Sequence, residues 1–173
     1  ELGGILGMRA PIRRIEGFDI SNTGGEESVG SLVVFVDGRP RRSDDRKFKV
    51  KTVEGPNDVA GPIEVIARRY RRSLAERTSL PDLVFVDGGK PQLGAAIKTL
   101  HEMGLVGIPV VGLAKKQEII FREGDKDGLR LERSSDALKL LQRIRDEAHR
   151  FAITFHRARR EKRSLARSIT SKN

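Results

Sequence analysis

Cysteine and tryptophan are absent from this chain of 173 residues, and tyrosine occurs once. Without cysteine the chain forms neither disulfides nor thiolate metal sites, so a bound metal ion must be held by Asp, Glu or His. The lack of disulfides is compatible with a reducing compartment, and we expect a cytoplasmic location.

Long apolar runs are also missing. No run approaches the roughly 20 residues needed to cross a bilayer, and the N-terminus lacks the apolar core of a signal peptide. The length is typical of one domain with its own core, so we predict a single domain over residues 1–173. Because the chain begins at Glu1 and not at methionine, we expect it to be a piece of a longer polypeptide.

Acidic residues are outnumbered, since 24 Asp and Glu face 34 Lys and Arg and the formal charge is +10. Much of the excess lies in residues 68–72 and 143–163, and we expect a basic C-terminal tail from about residue 157. This charge favours a polyanionic partner, with nucleic acid as the first candidate. The few aromatic residues are not interleaved with the basic ones, which indicates backbone contact rather than base stacking. A basic surface that only maintains solubility is the alternative.

The first half of the chain has the pattern of antiparallel strands. Segments 14–20 and 28–36 are rich in Ile, Val and Phe and flank a Gly-Gly pair, which predicts a hairpin. The pair Asp37-Gly38 predicts a second tight turn. A third strand is expected over residues 48–53.

The second half alternates helices with short apolar strands. A helix capped by Asn57 or Asp58 is predicted through Tyr70, followed by buried strands over 83–86 and 110–113. The remaining predicted elements are a helix over 91–103, a polar hairpin over 118–131 and a long last helix capped by Ser134, Ser135 or Asp136. This order predicts an α/β protein whose mixed five-stranded sheet is flanked by helices, as in the ribonuclease H-like fold.

Two aspartates lie on strands that this fold makes parallel neighbours. Asp19 lies inside the first strand, where a charge is costly unless it is paired or binds a metal ion. Asp87 ends a buried strand before two glycines, at the carboxyl end where α/β sheets bind ligands. Two carboxylates can hold Mg²⁺ or Mn²⁺ for phosphodiester hydrolysis. The alternatives are a solvent-exposed aspartate at position 19 and a simple helix cap at position 87.

His149 lies on the last helix beside its apolar line, so we expect it to face the acidic end of the sheet. Its imidazole can bind a metal ion or transfer a proton. Asp146 lies one turn earlier and is expected either to hydrogen-bond the imidazole or to pair with Arg150. The alternative is that His149 has no functional role, as is common for a single histidine on a helix.

Basic residues near these groups are candidates for phosphate contact. Lys90 follows the two glycines, which allow close approach of the backbone to a phosphate. Three arginines on the basic face of the last helix, Arg145, Arg150 and Arg157, can follow a DNA backbone. The alternative is a solvated helix face.

Four collinear motifs resemble the C-terminal nuclease domain of UvrC, in the same order and over nearly the whole chain. They are residues 17–21 (Gly-Phe-Asp-Ile-Ser), 86–90 (Val-Asp-Gly-Gly-Lys), 112–115 (Gly-Leu-Ala-Lys) and 144–153 (Ile-Arg-Asp-Glu-Ala-His-Arg-Phe-Ala-Ile). The chain departs from this family at residues 21–25, where many relatives carry a His and a Met, and at Pro91, where Gly is common.

The resemblance implies a metal-dependent endonuclease that makes the 5′ incision at damaged double-stranded DNA in bacterial nucleotide-excision repair. It implies a catalytic and metal-binding centre at Asp19, Asp87 and His149, with Asp58 as a further acidic residue. In the full-length family member the partner is the UvrB–DNA complex. The parts of that protein for the 3′ incision, for UvrB binding and for helix-hairpin-helix DNA contact are not found in these 173 residues.

Two interpretations without catalysis remain. A nucleic-acid-binding module on the ribonuclease H-like scaffold would bind DNA without a divalent ion and regardless of Asp19→Asn. A protein-docking domain would show no salt-dependent affinity for DNA.

Overall fold

The structure is a computed structural model that describes residues 1–8, 10–22, 28–50, 59–115 and 118–170. The strands are β1 (Arg14–Asn22), β2 (Ser28–Val36), β3 (Arg39–Pro40), β4 (Arg46–Val50), β5 (Leu83–Asp87), β6 (Val110–Leu113) and β7 (Ile120–Arg122). The helices are α1 (Leu2–Ile5), α2 (Ala60–Glu76), α3 (Lys90–Glu102) and α4 (Asp136–Thr170), and a 3-10 turn spans Arg42–Asp44.

The strands form one mixed sheet in the order β3-β2-β1-β5-β6-β7, with β4 also paired to β2. The β1–β2 hairpin is antiparallel and the β1–β5 pair is parallel, as predicted. The sheet has seven strands where five were expected. One extra strand, β3, arises because Asp37 (φ 51°) and Gly38 (φ 79°) reverse the chain back onto β2.

The other extra strand, β7, lies in the predicted polar hairpin. It pairs antiparallel with β6 and therefore extends the sheet. The expected second arm of the hairpin is reduced to a single bridge between Ile120 and Leu129.

Side chains of the central strands alternate between two apolar layers. Ile15, Leu83 and Phe85 face α4, together with the apolar line of that helix. Phe18 and other side chains of opposite parity face α2 and α3, and the Phe18 ring packs edge to face on Tyr70 at 5.9 Å between centroids. The sheet is therefore covered by α4 on one face and by α2 and α3 on the other.

Helix α4 begins where the sequence predicted. The Ser135 hydroxyl accepts a hydrogen bond from the Leu138 N–H at 3.4 Å, as an N-cap does. The predicted apolar line is buried at Leu138, Leu141, Ile144 and Ala148. The helix continues to Thr170, through the segment expected to form a basic tail. No helix in the described part of the chain is long and apolar enough to cross a membrane.

Helix α2 begins differently from the prediction. Its N-cap is Val59, which makes no side-chain capping hydrogen bond. The expected caps, Asn57 and Asp58, lie outside the described residues.

Candidate active site

The parallel pairing of β1 with β5 places Asp19 and Asp87 side by side. The register aligns Phe18 with Val86, so the residues that follow them, Asp19 and Asp87, also lie next to each other. Both carboxylates project toward the α4 face because side chains two residues apart share a face. Asp19 is only 7% exposed, so the interpretation of a solvent-exposed strand aspartate is wrong.

His149 is brought over Asp19 by a close approach of α4 to β1. A Cβ added to Gly17 would lie 2.5 Å from Cγ2 of Ile144, so the absence of a side chain lets the helix cross the strand there. His149 lies five residues further along the helix, a rise of about 7.5 Å. Its Nδ1 atom lies 3.8 Å from Oδ2 of Asp19, and the side chain is 65% exposed. The ring is thus open to solvent and just beyond direct hydrogen-bond distance from the carboxylate.

Ser31 links the helix to the strand at this point. It is buried opposite Asp19 on β2, and its hydroxyl lies 3.4 Å from the Asp19 carbonyl oxygen and 3.2 Å from that of Ala148. Its single proton can be donated to either carbonyl oxygen. Sequence reasoning missed this residue, because nothing in the local pattern shows which small polar residue of β2 meets α4.

The two carboxylates have an electrostatically unfavourable environment. Burial raises the pKa of Asp19, and the nearby charge of Asp87 raises it further, while His149 and Lys115 act in the opposite direction. Burial also raises the pKa of Asp87, against the lowering influence of Lys115 and Arg145. Two partly desolvated like charges at one site favour a cation as ligand.

A free carboxylate oxygen supports that conclusion. Among the described residues, Oδ1 of Asp87 is buried without a hydrogen-bond partner. Buried acceptors are normally satisfied, and hard divalent cations prefer carboxylate oxygens. The pair Asp19 and Asp87 therefore fits a divalent metal ion. The described residues contain no preformed group of three or more His, Asp or Glu side chains able to hold a metal ion, so His149 does not complete such a group in this arrangement.

These residues line one cavity of about 700 Å³. Its walls contain four carboxylates and two cationic side chains, and are formed by Asp19, Ile20, Asp87, Lys115, Glu118, Arg145, Asp146 and His149. Lys115 and Glu118 were not predicted as site residues. Lys115 lies two residues beyond the end of β6, so the rule that located Asp87 also points to it.

Arg145 points into this cavity, and its Nη1 atom lies 3.0 Å from each carboxylate oxygen of Glu118. Asp146 lines the same cavity, where its Oδ1 atom is 3.6 Å from Nε of Arg145. The expected pairing of Asp146 with Arg150 is wrong, because Arg150 forms its ion pair with Glu147 at 2.7 Å. The residue nearest His149 among the acidic groups described here is Asp19 rather than Asp146.

The remaining candidates lie elsewhere. The Nζ atom of Lys90 is 5.6 Å from the centroid of the Phe121 ring, and Lys90 lines a separate cavity beside α3. Arg157 is part of α4, but its side chain lies outside the described residues, as does Asp58.

Most of the chain matches one known protein family. Residues 4–153 match the family described as the UvrC RNAse H endonuclease domain. The chain belongs to this family. The resemblance seen in the four motifs and the predicted fold class are therefore confirmed, and the chain is a UvrC-type nuclease module.

The relatives of this UvrC domain are much longer proteins. UvrABC system protein C of Salinibacter ruber is 50% identical over 167 residues, which are 95% of this chain and 26% of that protein. The protein of the same name from Moorella thermoacetica is 51% identical over 165 residues, covering 94% of this chain and 27% of that protein. The chain thus spans about a quarter of the length of these relatives.

Solved structures resemble the UvrC domain more distantly. An endonuclease V of Ciona intestinalis, in complex with DNA containing an inosine, matches with a TM-score of 0.47 and 19% identity, covering 61% of this chain and 46% of that one. The catalytic domain of human endonuclease V matches with a TM-score of 0.39 and 18% identity, covering 62% and 46%.

Proposed function

We propose that this UvrC-family domain is a divalent-metal-dependent endodeoxyribonuclease that makes the 5′ incision at damaged double-stranded DNA. In the proposed setting it acts in the bacterial cytoplasm during nucleotide-excision repair, as part of a full-length protein that engages the UvrB–DNA complex. The proposed centre is Asp19, Asp87 and His149. The observation that carries the proposal is the level placement of the buried Asp19 on β1 and the half-buried Asp87 at the end of β5, together with an oxygen of Asp87 that has no hydrogen-bond partner among the described residues.

Each residue of the centre has a role that its surroundings support. Asp19 and Asp87 would hold Mg²⁺ or Mn²⁺, which supplies charge stabilisation at the phosphate and an activated water when bound. His149 presents an exposed imidazole beside Asp19 and can hold or transfer a proton at its ring nitrogens. A neutral imidazole contributes less negative charge than a third carboxylate, so we expect weak metal binding by the isolated domain.

The DNA strand would be positioned by cationic side chains. Arg145 is the proposed contact nearest the scissile phosphate, because it lines the same cavity as the two carboxylates. Lys90, Arg150 and Arg157 are proposed contacts further along the backbone. Asp146 lines the same cavity and is proposed to act on the centre through its charge. Asp58 is proposed as a further acidic residue, as the family suggests.

Nicking of supercoiled plasmid in Mn²⁺ tests this proposal. We expect metal-dependent nicking by the unmodified chain, and its loss in Asp19→Asn, Asp87→Asn and His149→Ala. Asp127→Asn removes the same charge at an exposed position outside the cavity and should nick at the original rate.

The outcomes separate the proposal from its alternatives. Full activity in Asp19→Asn or Asp87→Asn would overturn the assigned centre. Absence of nicking in every protein, together with salt-sensitive DNA binding that ignores divalent ions and Asp19→Asn, would favour a nucleic-acid-binding module. Absence of any salt-sensitive DNA binding would favour a protein-docking domain.

A further inference from the structure

A second polar cavity lies at the other end of β1. It has a volume of about 430 Å³ and is lined by six arginines, here called the arginine pocket: Arg14, Arg41, Arg46, Arg69, Arg72 and Arg77. Only two carboxylates share the lining, those of Asp44 and Glu76, and the hydroxyl residues Thr78 and Ser79 complete it. Every cationic residue in the lining is an arginine.

A buried carboxylate fixes the inner part of the arginine pocket. Glu16 is fully buried and accepts hydrogen bonds from Nε of Arg14 at 2.9 Å, Nε of Arg69 at 3.3 Å and the Tyr70 hydroxyl at 3.0 Å. The two arginine side chains are only 15% and 11% exposed. Their guanidinium groups are therefore held in place before any ligand arrives, which lowers the entropy cost of binding one.

Stability explains only part of this cluster. Arg77, the C-cap of α2, lies where a positive charge complements the helix dipole, and charged residues protect an edge strand from pairing. Arg72 is also paired with Glu76 at 2.9 Å. These roles leave a surplus of guanidinium groups over carboxylates, and three of the arginines, Arg41, Arg46 and Arg77, are exposed at the rim.

We propose that the arginine pocket binds phosphate groups of the DNA backbone, away from the segment held at Asp19 and Asp87. The planar guanidinium group matches the geometry of phosphate oxygens and can bind them in pairs. A polymer of phosphates can engage the inner and the rim arginines together, which a single small anion cannot do. This inference rests on the proposed DNA partner, but it does not depend on catalysis.

The position of the pocket makes it a separate contact. Arg14 and Asp19 are five residues apart on β1, a distance of about 17 Å along an extended strand. Their side chains also point to opposite faces of the sheet, because their positions differ by an odd number. A phosphate at the carboxylates therefore cannot be the one in the arginine pocket.

The experiment compares two triple variants of the 173-residue chain that lose the same charge. The pocket variant carries Arg41→Ala, Arg46→Ala and Arg77→Ala, and the control carries Lys126→Ala, Arg133→Ala and Lys139→Ala. All six residues are exposed, so both variants should fold. Binding to an undamaged duplex is measured by fluorescence anisotropy in EDTA over a range of salt concentrations, so that nuclease activity does not affect the result.

We expect the pocket variant to lose about tenfold in affinity and the control to lose at most about threefold. The slope of log K against log salt should fall by about 2 to 3 in the pocket variant, since each lost phosphate contact removes roughly 0.9. Equal losses in the two variants would show only an effect of net charge and would overturn the proposal. Unchanged DNA binding in the pocket variant would also overturn it, and loss of polyglutamate binding instead would assign the pocket to an acidic protein.

Discussion

Arg145 and Glu118 form an ion pair inside the cavity that holds Asp19 and Asp87, with Nη1 of the arginine 3.0 Å from each carboxylate oxygen. Glu118 adopts a left-handed backbone conformation (φ 53°), which is strained for a residue with a side chain. A carboxylate that occupies two oxygen positions around Arg145 resembles a phosphate in its geometry. Glu118 therefore occupies the guanidinium group of Arg145, which we propose as the contact for the scissile phosphate.

We predict that Glu118→Gln binds duplex DNA about fivefold more tightly than the unmodified chain. The change removes a competing anion from Arg145, and a partly exposed ion pair of this kind contributes on the order of 1 kcal/mol. Anisotropy in EDTA measures the affinity, and Glu123→Gln provides the same charge change at an exposed position outside this cavity. Weaker binding in Glu118→Gln would show instead that Glu118 positions Arg145 for its ligand.

Direct binding of a divalent ion should raise the melting temperature of the chain. At ten times its dissociation constant, an ion stabilises the folded state by about 1.4 kcal/mol, which corresponds to roughly 3–6 °C for a domain of this size. We expect this shift with Mn²⁺ in the unmodified chain and its loss in Asp19→Asn and in Asp87→Asn. A shift of equal size in all three proteins would place the ion elsewhere.

Gly17→Ala should destabilise the chain by about 1–3 kcal/mol, because the new methyl group meets Cγ2 of Ile144 at 2.5 Å. Urea unfolding measures the change. The additional replacement Ile144→Ala should make the double variant less destabilised than the sum of the two single changes. Gly94→Ala is the matched control, since its Cβ would meet nothing within 4 Å and alanine favours an exposed helical position.

Asp45 should make the free energy of unfolding decrease as the pH rises. Burial raises its pKa from 3.8 to about 6, although the Val34 N–H donates a hydrogen bond to it at 3.0 Å. Because the folded state prefers the protonated carboxyl, the stability contributed by Asp45 is present below about pH 4 and is lost as the pH rises through 6. Asparagine keeps an acceptor oxygen for Val34 and carries no charge.

Asp45→Asn should therefore gain stability relative to the unmodified chain as the pH increases from 4 to 7.5. Since the side chain is half-buried, we expect a gain of about 1 kcal/mol at the higher pH. Urea unfolding at both pH values checks this. Asp37→Asn is a control, because Arg13 lowers the pKa of Asp37 and the stability contributed by this carboxylate is therefore lost only below about pH 4. A stability difference for Asp45→Asn that is the same at both pH values would contradict the prediction.

Much of the sheet could be predicted because most of its strands have a recognisable run of apolar residues. The strand containing Asp19 and the strand ending at Asp87 were located by runs of apolar residues, and their parallel pairing followed from the order of the elements. The short strand β3 and the helix α1 were missed. A two-residue strand has no periodicity of its own, and it forms only because the preceding turn returns the chain to β2.

Site residues could be predicted where the strands determine their position. They could not be predicted where their position depends on tertiary contacts. Asp19 and Asp87 follow from the register, but the position of His149 beside Asp19 depends on how closely α4 crosses at Gly17. Lys90 is adjacent to the site in sequence, yet the turn after Asp87 directs it toward Phe121 on another surface. Glu118 reaches Arg145 across 27 positions of sequence, a separation that no local pattern reveals.

The cavity at the end of β1 has more carboxylates than cations, although the chain as a whole carries a charge of +10. Under the proposed function, long-range attraction would bring a duplex to the surface, while the cavity itself would repel the phosphate that must enter it. The proposed attachment and the proposed cleavage would therefore have opposite charge requirements. If the domain is the proposed metal-dependent nuclease, it would hold intact DNA without cutting it when divalent ions are scarce, so the supply of the ion would limit cleavage.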